Sequence, residues 1–188
     1  FEVADVVTLR WAGGEKTISY RRFESCSDTL FAFWLIHILL PLYLTLEETY
    51  EFIHACAVEV DSSTILFIAP SHGGKSTLTD LFVRRGHPLV SDDKVATFHG
   101  QGTHWAVPSH PNHRPYRKFE DLGMRVDRFD PRARPVDAVY RLVRAEPGAA
   151  VSIREVHGHG KFADMLPNVL FNFSHLNARR MTYLAQMA

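Results

Sequence analysis

Cysteine is scarce in this sequence, with only two residues, Cys26 and Cys56, among 188. The two thiols lack the spacing of a metal-binding cluster, and two cysteines in a chain of this length cannot form a disulfide framework. A disulfide-stapled secreted scaffold and a cysteine-based zinc domain are therefore excluded. The scarcity favours a reducing compartment, and we expect a cytoplasmic location.

An excess of charge is also missing, because 21 lysines and arginines balance 21 aspartates and glutamates. A neutral chain has no general electrostatic attraction for nucleic acid or for an anionic membrane. We therefore expect neither as a partner, and any cationic binding site must be local.

The sequence has no long uninterrupted apolar run. Its longest apolar stretch, Leu30–Leu46, contains His37 and Pro41 and is short for a membrane span of about 20 residues, so we predict a buried helix. A basic start followed by an apolar run and a small-residue cleavage site is not seen, and we do not expect export.

The length of 188 residues suits one domain with a sizeable core. We divide this single domain into an N-terminal part, a central part and a C-terminal part, which are residues 1–53, 54–98 and 99–188.

In the N-terminal part, apolar runs on either side of two glycines predict a hairpin over Asp5–Tyr20. Asp28 is expected to cap a helix over Thr29–Leu40. Pro41 would end or kink that helix before a second one over Leu44–Phe52.

The central part contains apolar runs separated by turn residues, which predict a strand hairpin, a glycine loop, a helix and another strand. The expected bounds are Ala55–Val60, Thr64–Ile68, Lys75–Arg85 and Pro88–Ser91. In the C-terminal part the same reasoning predicts two strands and a helix interrupted by Pro167. Their expected bounds are Val136–Val143, Val151–Val156 and Lys161–Phe173.

A glycine-rich segment lies between the second central strand and the helix. It runs Ala69-Pro70-Ser71-His72-Gly73-Gly74-Lys75-Ser76-Thr77 and matches the end of the Walker A pattern, with Ala69 in place of the first glycine. Glycines let backbone amides face phosphate oxygens, and the following helix adds partial positive charge at its N-terminus. We predict that Ser71 to Thr77 bind nucleotide phosphates, with Lys75 reaching the terminal phosphates and the Ser76 hydroxyl binding magnesium.

Two aspartates, Asp92 and Asp93, follow the next short strand. Side chains at the carboxyl end of such a strand commonly face ligands in open α/β sheets, and adjacent residues on extended chain point in different directions. One carboxylate would therefore face the metal and the other the acceptor, where it would take up a proton. A polar turn without catalytic function is the alternative interpretation of the pair.

A long polar loop, Val107–Arg117, carries cationic residues that would suit an anionic substrate. Candidates for substrate contact are Arg114 and Arg117, together with Lys118 next to the loop and Lys161 near a predicted helix start. A solvated loop is the competing interpretation of these residues.

The chain from His54 to Val95 resembles the catalytic core of the HPr kinase/phosphorylase family. The matching features occur in the family's order: a histidine that opens a strand, a phosphate loop, a helix that ends in Arg-Gly-His, and a strand that ends in two aspartates. In this chain they are His54-Ala55-Cys56-Ala57-Val58-Glu59-Val60, Gly74-Lys75-Ser76-Thr77, Arg85-Gly86-His87 and Leu89-Val90-Ser91-Asp92-Asp93.

The resemblance implies an α/β fold with a P-loop kinase core of the HPr kinase/PEP carboxykinase-like type, a central mixed β-sheet and flanking helices. It implies that ATP and Mg²⁺ are used, that Lys75 and Ser76 bind phosphate and metal, that Asp92 is the general base, and that Asp93 and His54 support the metal or the base.

The implied activity is transfer of the γ-phosphoryl group of ATP to a serine hydroxyl of a protein or peptide. Short relatives in this family phosphorylate the C-terminal serine of lasso-peptide precursors, and this chain is similar to them in size. The resemblance also allows a homo-oligomer. The alternatives are a small-molecule kinase and a non-catalytic module that senses nucleotides.

Overall fold

The computed structural model describes residues 1–115 and 120–187. Within these residues the chain begins with an antiparallel three-stranded sheet. Its strands are β1 (Glu2–Val3), β2 (Val7–Arg10) and β3 (Ser19–Arg22). The predicted N-terminal hairpin is confirmed, because β2 pairs with β3 from Val7↔Arg22 to Arg10↔Ser19.

One long helix follows, and it is continuous through Pro41. It consists of α1 (Asp28–Trp34), a π-helical turn (Leu35–Leu39) and α2 (Leu40–Leu46). We predicted that Pro41 would end or kink the helix, but the helix continues through it, because the proline follows a wider π turn that accommodates a residue without an N–H. The cap is Ser27 rather than Asp28, since the Ser27 hydroxyl accepts the Leu30 N–H at 3.2 Å.

The helix Asp28–Leu46 is long and apolar enough to cross a membrane, by length and composition alone. Core helices and signal sequences pass the same test, and 28% of its most apolar window is buried in the protein. Every residue from Leu30 to Leu46 is buried or half-buried. The stretch therefore packs against the rest of the chain, as predicted.

The expected second helix over Leu44–Phe52 is wrong. The chain turns at Glu48, whose φ is +56°, and enters strand β4 (Glu51–Ile53), which is fully buried and pairs with β8. Pairing in a buried sheet overrides the helical spacing of the leucines at this point.

The remaining elements form two four-stranded sheets, a short strand pair and helices. In chain order they are β5 (Ala55–Val60), β6 (Ser63–Ile68), α3 (Lys75–Arg84), β7 (Leu89–Ser91), β8 (Val95–Gly100), β9 (Thr103–Val107), β10 (Asn112–His113), β11 (Met124–Arg125), β12 (Arg134–Pro135), β13 (Ala138–Arg141), α4 (His159–Met165), two 3₁₀ turns (Leu166–Asn168 and Ser174–Leu176) and α5 (Asn177–Met187).

The strand order is β12-β9-β8-β4 in one sheet and β13-β6-β5-β7 in the other. The second sheet is mixed, because β13 runs parallel to β6 while β5 is antiparallel to both of its neighbours. The molecule is therefore mixed α/β, and the predicted strands and helix of the central part are confirmed with small changes of bounds.

The C-terminal part departs from two predictions. The segment Val151–Val156 is not a strand, and Val151 and Ile153 are 96% and 77% exposed. The expected helix over Lys161–Phe173 starts at His159 and is already over at Met165, where a 3₁₀ turn containing Pro167 follows. The alternating apolar residues of Val151–Val156 do not form a strand, because among the described residues no neighbouring strand pairs with them.

The second sheet holds the centre of the core and positions the site. Buried residues Ala55, Ala57, Leu66, Ile68 and Val90 pack there with Leu184 of α5. Strands β6 and β7 end, and β5 begins, on the same side of this sheet. The polar residues of the candidate site lie next to these strand ends. The sheet therefore brings separate parts of the chain to one place.

Candidate active site

The predicted phosphate loop connects the buried end of β6 to the start of α3. Its backbone needs glycine at two positions. A side chain at Gly73 would meet the Ala69 Cβ at 2.6 Å and the Pro70 carbonyl oxygen at 2.9 Å, and Gly74 has φ +92°. Ser71, His72, Gly73 and Gly74 are all exposed, so the loop is open to solvent ahead of the helix.

The departure from the Walker A pattern at Ala69 is tolerated by this geometry. The Ala69 methyl group lies next to Gly73, and it fits there because Gly73 has no side chain. Small residues at positions 69 and 73 allow the two backbone segments to approach each other. A glycine at position 69 is therefore not required for this backbone path.

Lys75 is the first residue of α3 and is only 5% exposed. Its Nζ donates to the carbonyl oxygens of Ala69 at 2.8 Å and Pro70 at 3.3 Å. The side chain is thus folded over the loop on which phosphates were predicted to bind.

Ser76 faces Asp92 across the sheet edge. The Ser76 Oγ lies 3.3 Å from the Asp92 Oδ1, and the thiol of Cys56 donates to the same Oδ1 at 3.0 Å. Burial raises the pKa of this thiol, and the neighbouring Asp92 carboxylate raises it further. Cys56 is therefore a neutral donor and not a nucleophile.

The second oxygen of Asp92 is held by two donors. The Arg114 backbone N–H donates to Oδ2 at 2.7 Å, and the Nδ1 of His113 lies 3.0 Å from it. Burial would raise the pKa of Asp92, which is 2% exposed, but hydrogen bonds from His113 and Cys56 lower it to about 2. Asp92 is therefore a buried and fully ionised carboxylate at neutral pH.

Asp93 faces other partners. Its Oδ1 lies 3.4 Å from the Nε2 of His54, and its Oδ2 accepts from the Nζ of Lys94 at 2.8 Å. The residue has φ +67°, an uncommon backbone conformation for a residue other than glycine. This sharp bend turns the two adjacent carboxylates toward different surroundings.

The structure thus brings most of the predicted residues together. His54, Lys75, Ser76, Asp92 and Asp93 meet at one edge of the sheet, and Thr77 is exposed on the first turn of α3. Arg114 is adjacent through its backbone. Arg117 and Lys118 lie outside the described residues.

Lys161 is not brought into this cluster. It lies in α4, and among the described residues its side chain forms no hydrogen bond or ion pair with a site residue. The predicted role of Lys161 in phosphate binding therefore has no support in the geometry.

Sequence reasoning did not single out Cys56 or His113, although both contact Asp92. Cys56 is one of two cysteines, and it is placed by the pairing of β5 with β6. His113 is one of the 11 histidines in the sequence, and it lies in a long loop without apolar periodicity. No spacing signal marks either residue, because both contacts depend on tertiary structure.

The oxygen atoms of Ser76 and Asp92 fit a magnesium ion carried by a nucleotide. Adjacent oxygen ligands on Mg²⁺ lie about 3 Å apart, close to the 3.3 Å between these two atoms. Among residues 1–115 and 120–187 no group of three or more His, Cys, Asp and Glu side chains could hold a metal ion.

Comparisons with known proteins give limited information. No protein-family model matches the chain, and no curated protein matches it. Among solved structures, the HPr(Ser) kinase/phosphatase from Coxiella burnetii is similar over 54% of this chain and 65% of that chain, with 19% identity and a TM-score of 0.42. The match spans less than two thirds of that protein, and a likeness at this level carries no conclusion about activity.

Proposed function

We propose that this protein is an ATP-dependent kinase that transfers the γ-phosphoryl group to a serine hydroxyl of a peptide or protein. One observation carries the proposal. The hydroxyl of Ser76, in a glycine loop at a helix start, faces the buried carboxylate of Asp92, while a second carboxylate, Asp93, stands next to it with a histidine partner.

The loop supplies what a triphosphate needs. Gly73 and Gly74 are exposed residues at the N-terminus of α3, a ten-residue helix, where partial positive charge favours anions. Lys75 adds a full positive charge at the same point. Together these groups would hold the phosphates and orient the terminal one toward the aspartates.

We assign the metal side of the site to Asp92 and Ser76. An ionised carboxylate with a pKa of about 2 is a weak proton acceptor but a good oxygen ligand for Mg²⁺. Magnesium bound with ATP would supply positive charge that stabilises the negative phosphate oxygens. The role of Asp92 is then the reverse of the base role expected from the sequence.

We assign proton uptake to Asp93. The acceptor oxygen forms a bond to the γ-phosphorus, the bond from that phosphorus to the bridging oxygen of ADP breaks, and the hydroxyl proton goes to the Asp93 carboxylate. His54, 3.4 Å from Asp93, would orient this carboxylate. Lys94 contributes a second ion pair on its other oxygen.

The acceptor side carries positive charge. Lys94 pairs with Asp93, and Arg114 follows His113 in the loop that holds Asp92, so we propose that their side chains would suit a peptide with a carboxylate near its serine. The C-terminal serine of a lasso-peptide precursor is such an acceptor, and we propose it as the first to be tested. A cytoplasmic enzyme without nucleic-acid or membrane partners, alone or as a homo-oligomer, fits this proposal.

The test is mass spectrometry of candidate peptides that end in serine, incubated with the protein, ATP and Mg²⁺. We expect a mass increase of one or more phosphates with the wild type and with Lys16→Ala, a variant of an exposed lysine in the N-terminal loop. We expect no increase with Lys75→Ala, because the loop then lacks its cation.

Calorimetric measurement of nucleotide binding distinguishes the possible reasons for a negative result. If the wild type binds ATP but phosphorylates no peptide, the assignment as a serine kinase is wrong, and a small-molecule kinase or a nucleotide-sensing module takes its place. If Lys75→Ala retains full activity, the proposed phosphate site is wrong.

A further inference from the structure

The side chain of His113 is almost completely buried and lies between two carboxylates. Its exposed fraction is 1%, and its Nδ1 lies 3.0 Å from the Asp92 Oδ2. Its other nitrogen, Nε2, lies 3.6 Å from the Asp80 Oδ1, which is longer than a hydrogen bond. Asp80 is on α3, and it also pairs with Arg84 at 2.7 Å.

The direction of the hydrogen bond to Asp92 follows from the state of the carboxylate. Both oxygens of Asp92 already accept hydrogen bonds, Oδ1 from Cys56 and Ser76 and Oδ2 from the Arg114 N–H, so the carboxylate is an acceptor and the Nδ1 of His113 carries the proton and donates it. The backbone N–H of Arg114 donates to the same oxygen. Two neighbouring residues of the loop thus hold one oxygen of Asp92.

The backbone that carries His113 is itself fixed. His113 pairs with Met124 in the β10–β11 ladder. Gly123, the residue before Met124, has φ +90°, and a side chain there would meet the His113 carbonyl oxygen at 2.6 Å. This close approach of two backbone segments sets the position from which the imidazole reaches Asp92.

We infer that His113 is a positioning residue that holds the Asp92 Oδ2 through its Nδ1–H, so that Oδ1 stays directed at Ser76. The inference rests on the proposed function, because it concerns how the metal side of that site is oriented. Without the Nδ1–H donor, Oδ2 would keep only the Arg114 N–H, and the carboxylate would turn more easily about its Cβ–Cγ bond, so that Oδ1 would be directed less firmly at the Ser76 hydroxyl. Partners of this kind typically change metal affinity or activity 10- to 100-fold when they are removed.

Two amide variants separate the nitrogens of the ring. The amide nitrogen of His113→Asn lies close to the place of Nδ1, while that of His113→Gln lies close to the place of Nε2. We expect His113→Asn to retain the donor to Asp92 and His113→Gln to lose it. The two variants introduce the same functional group at the same buried position, so each controls for the other.

The primary measurement is calorimetric binding of a non-hydrolysable ATP analogue with and without Mn²⁺. For His113→Gln we expect the Mn²⁺-dependent affinity to fall about 10- to 100-fold, with metal-free binding of the analogue unchanged. For His113→Asn we expect an Mn²⁺-dependent affinity close to that of the wild type. The kcat/KM for the acceptor peptide should follow the same order.

Equal values for both variants, whether both retained or both lost, would overturn the inference. If His113→Gln does not fold, ¹⁵N NMR of histidine-labelled wild type decides, since an unprotonated Nδ1 contradicts the proposed donor. Because binding is read separately from turnover, a wild type that binds metal and analogue but transfers no phosphate would end the proposed kinase function alone. A wild type without metal-dependent binding would end both.

Discussion

Asp92 and Asp93 are neighbours in sequence, yet their side chains face different sets of partners. Asp92 is contacted by the Cys56 thiol, the His113 imidazole and the Ser76 hydroxyl, whereas Asp93 lies between His54 and Lys94. The positive φ of Asp93 produces this separation. Environment, more than residue type, therefore differentiates the two carboxylates.

Replacement of each aspartate by asparagine should give different kinetic results. For Asp93→Asn we expect kcat to fall about 10²- to 10⁴-fold, the usual contribution of a general base, with nearly normal affinity for metal and nucleotide. For Asp92→Asn we expect the metal-dependent nucleotide affinity to fall as well, because a charged oxygen ligand is lost. Steady-state kinetics and calorimetry on both variants measure this difference.

The opposite pattern would restore the roles expected from the sequence. That pattern is an Asp92→Asn variant with intact metal-dependent affinity and no turnover, beside an active Asp93→Asn variant. Asn variants are suitable because they keep the size of each side chain and change only its charge and its donors.

At this scale the sequence identified the groups that belong to local motifs. Lys75 and Ser76 follow from the glycine loop, and the aspartate pair follows from its place after a strand. The assignment of roles within the pair was beyond reach, since it depends on which side chains surround each carboxylate. His113 and Cys56 reach Asp92 only through tertiary packing.

Among the elements, the helix Asp28–Leu46 packs directly against the loop above the site. His37, in its π-helical turn, lies with its ring 4.7 Å from that of His110. The guanidinium of Arg114 lies over the ring of Phe33, and the indole N–H of Trp34 donates to Glu120 at 2.9 Å. The helix therefore supports the backbone segment that holds Asp92.

The buried imidazole of His37 should make the protein sensitive to mild acid. Its pKa is lowered to about 3 by burial and then by the neighbouring His110, Lys94 and Arg114, while Asp93 acts in the opposite direction. The unfolded chain takes up this proton near pH 6.5 and the folded chain does not, so stability is lost as the pH falls below 6.5.

Urea unfolding at several pH values tests this expectation. Between pH 6.5 and pH 5 the wild type should lose about 1.6 kcal/mol more stability than His37→Phe, since one proton is worth 1.36 kcal/mol per pH unit and the unfolded imidazole is only half protonated at pH 6.5. A variant of the exposed His175, His175→Phe, should behave like the wild type. Parallel curves for the wild type and His37→Phe would show that His37 does not control the acid response.

The C-terminal helix α5 is attached to the sheet β12-β9-β8-β4 by a buried ion pair. The Nε of Arg180, a residue that is 2% exposed, donates to Glu51 of β4 at 2.7 Å. The adjacent Arg179 forms an ion pair with Glu48 in which both side chains are about half exposed. Neighbouring arginines on one helix thus provide a buried pair and an exposed pair for comparison.

Removal of Arg180 and removal of Arg179 should lower the free energy of unfolding by different amounts. Arg180→Ala leaves Glu51 buried without its partner, and we expect it to lower the free energy of unfolding by about 3–5 kcal/mol. Arg179→Ala should lower it by less than about 1 kcal/mol, as for exposed pairs. Denaturant unfolding measures both, and equal small effects would mean that α5 is not held by Arg180.

Element prediction succeeded where local signals and sheet pairing agreed. The hairpin of β5 and β6, the loop and α3 have apolar runs, turn residues and glycines that all favour the observed structure. It failed at Leu44–Phe52, where β4 pairs with β8, and at Val151–Val156, where no strand pairs with an apolar alternation among the described residues. Pairing partners are distant in sequence, and periodicity does not reveal them.

In the whole molecule, β5 organises the site. It lies between β6, which leads into the glycine loop, and β7, which leads to the aspartates. The pairs Cys56↔Phe67 and Ala57↔Ser91 fix the relative positions of these two strands. Segments that are tens of residues apart thereby meet without any excess of charge in the chain as a whole.

The contacts of Lys75 have a further consequence for how energy would be divided during a reaction. Its ammonium group already donates to the carbonyl oxygens of Ala69 and Pro70, so an arriving phosphate would exchange these partners for its own oxygens. The net gain for the ground state is then a small difference between two sets of hydrogen bonds. A transition state with more charge on the transferred group would attract the lysine more strongly, and Lys75 would act on the rate more than on the affinity for ATP.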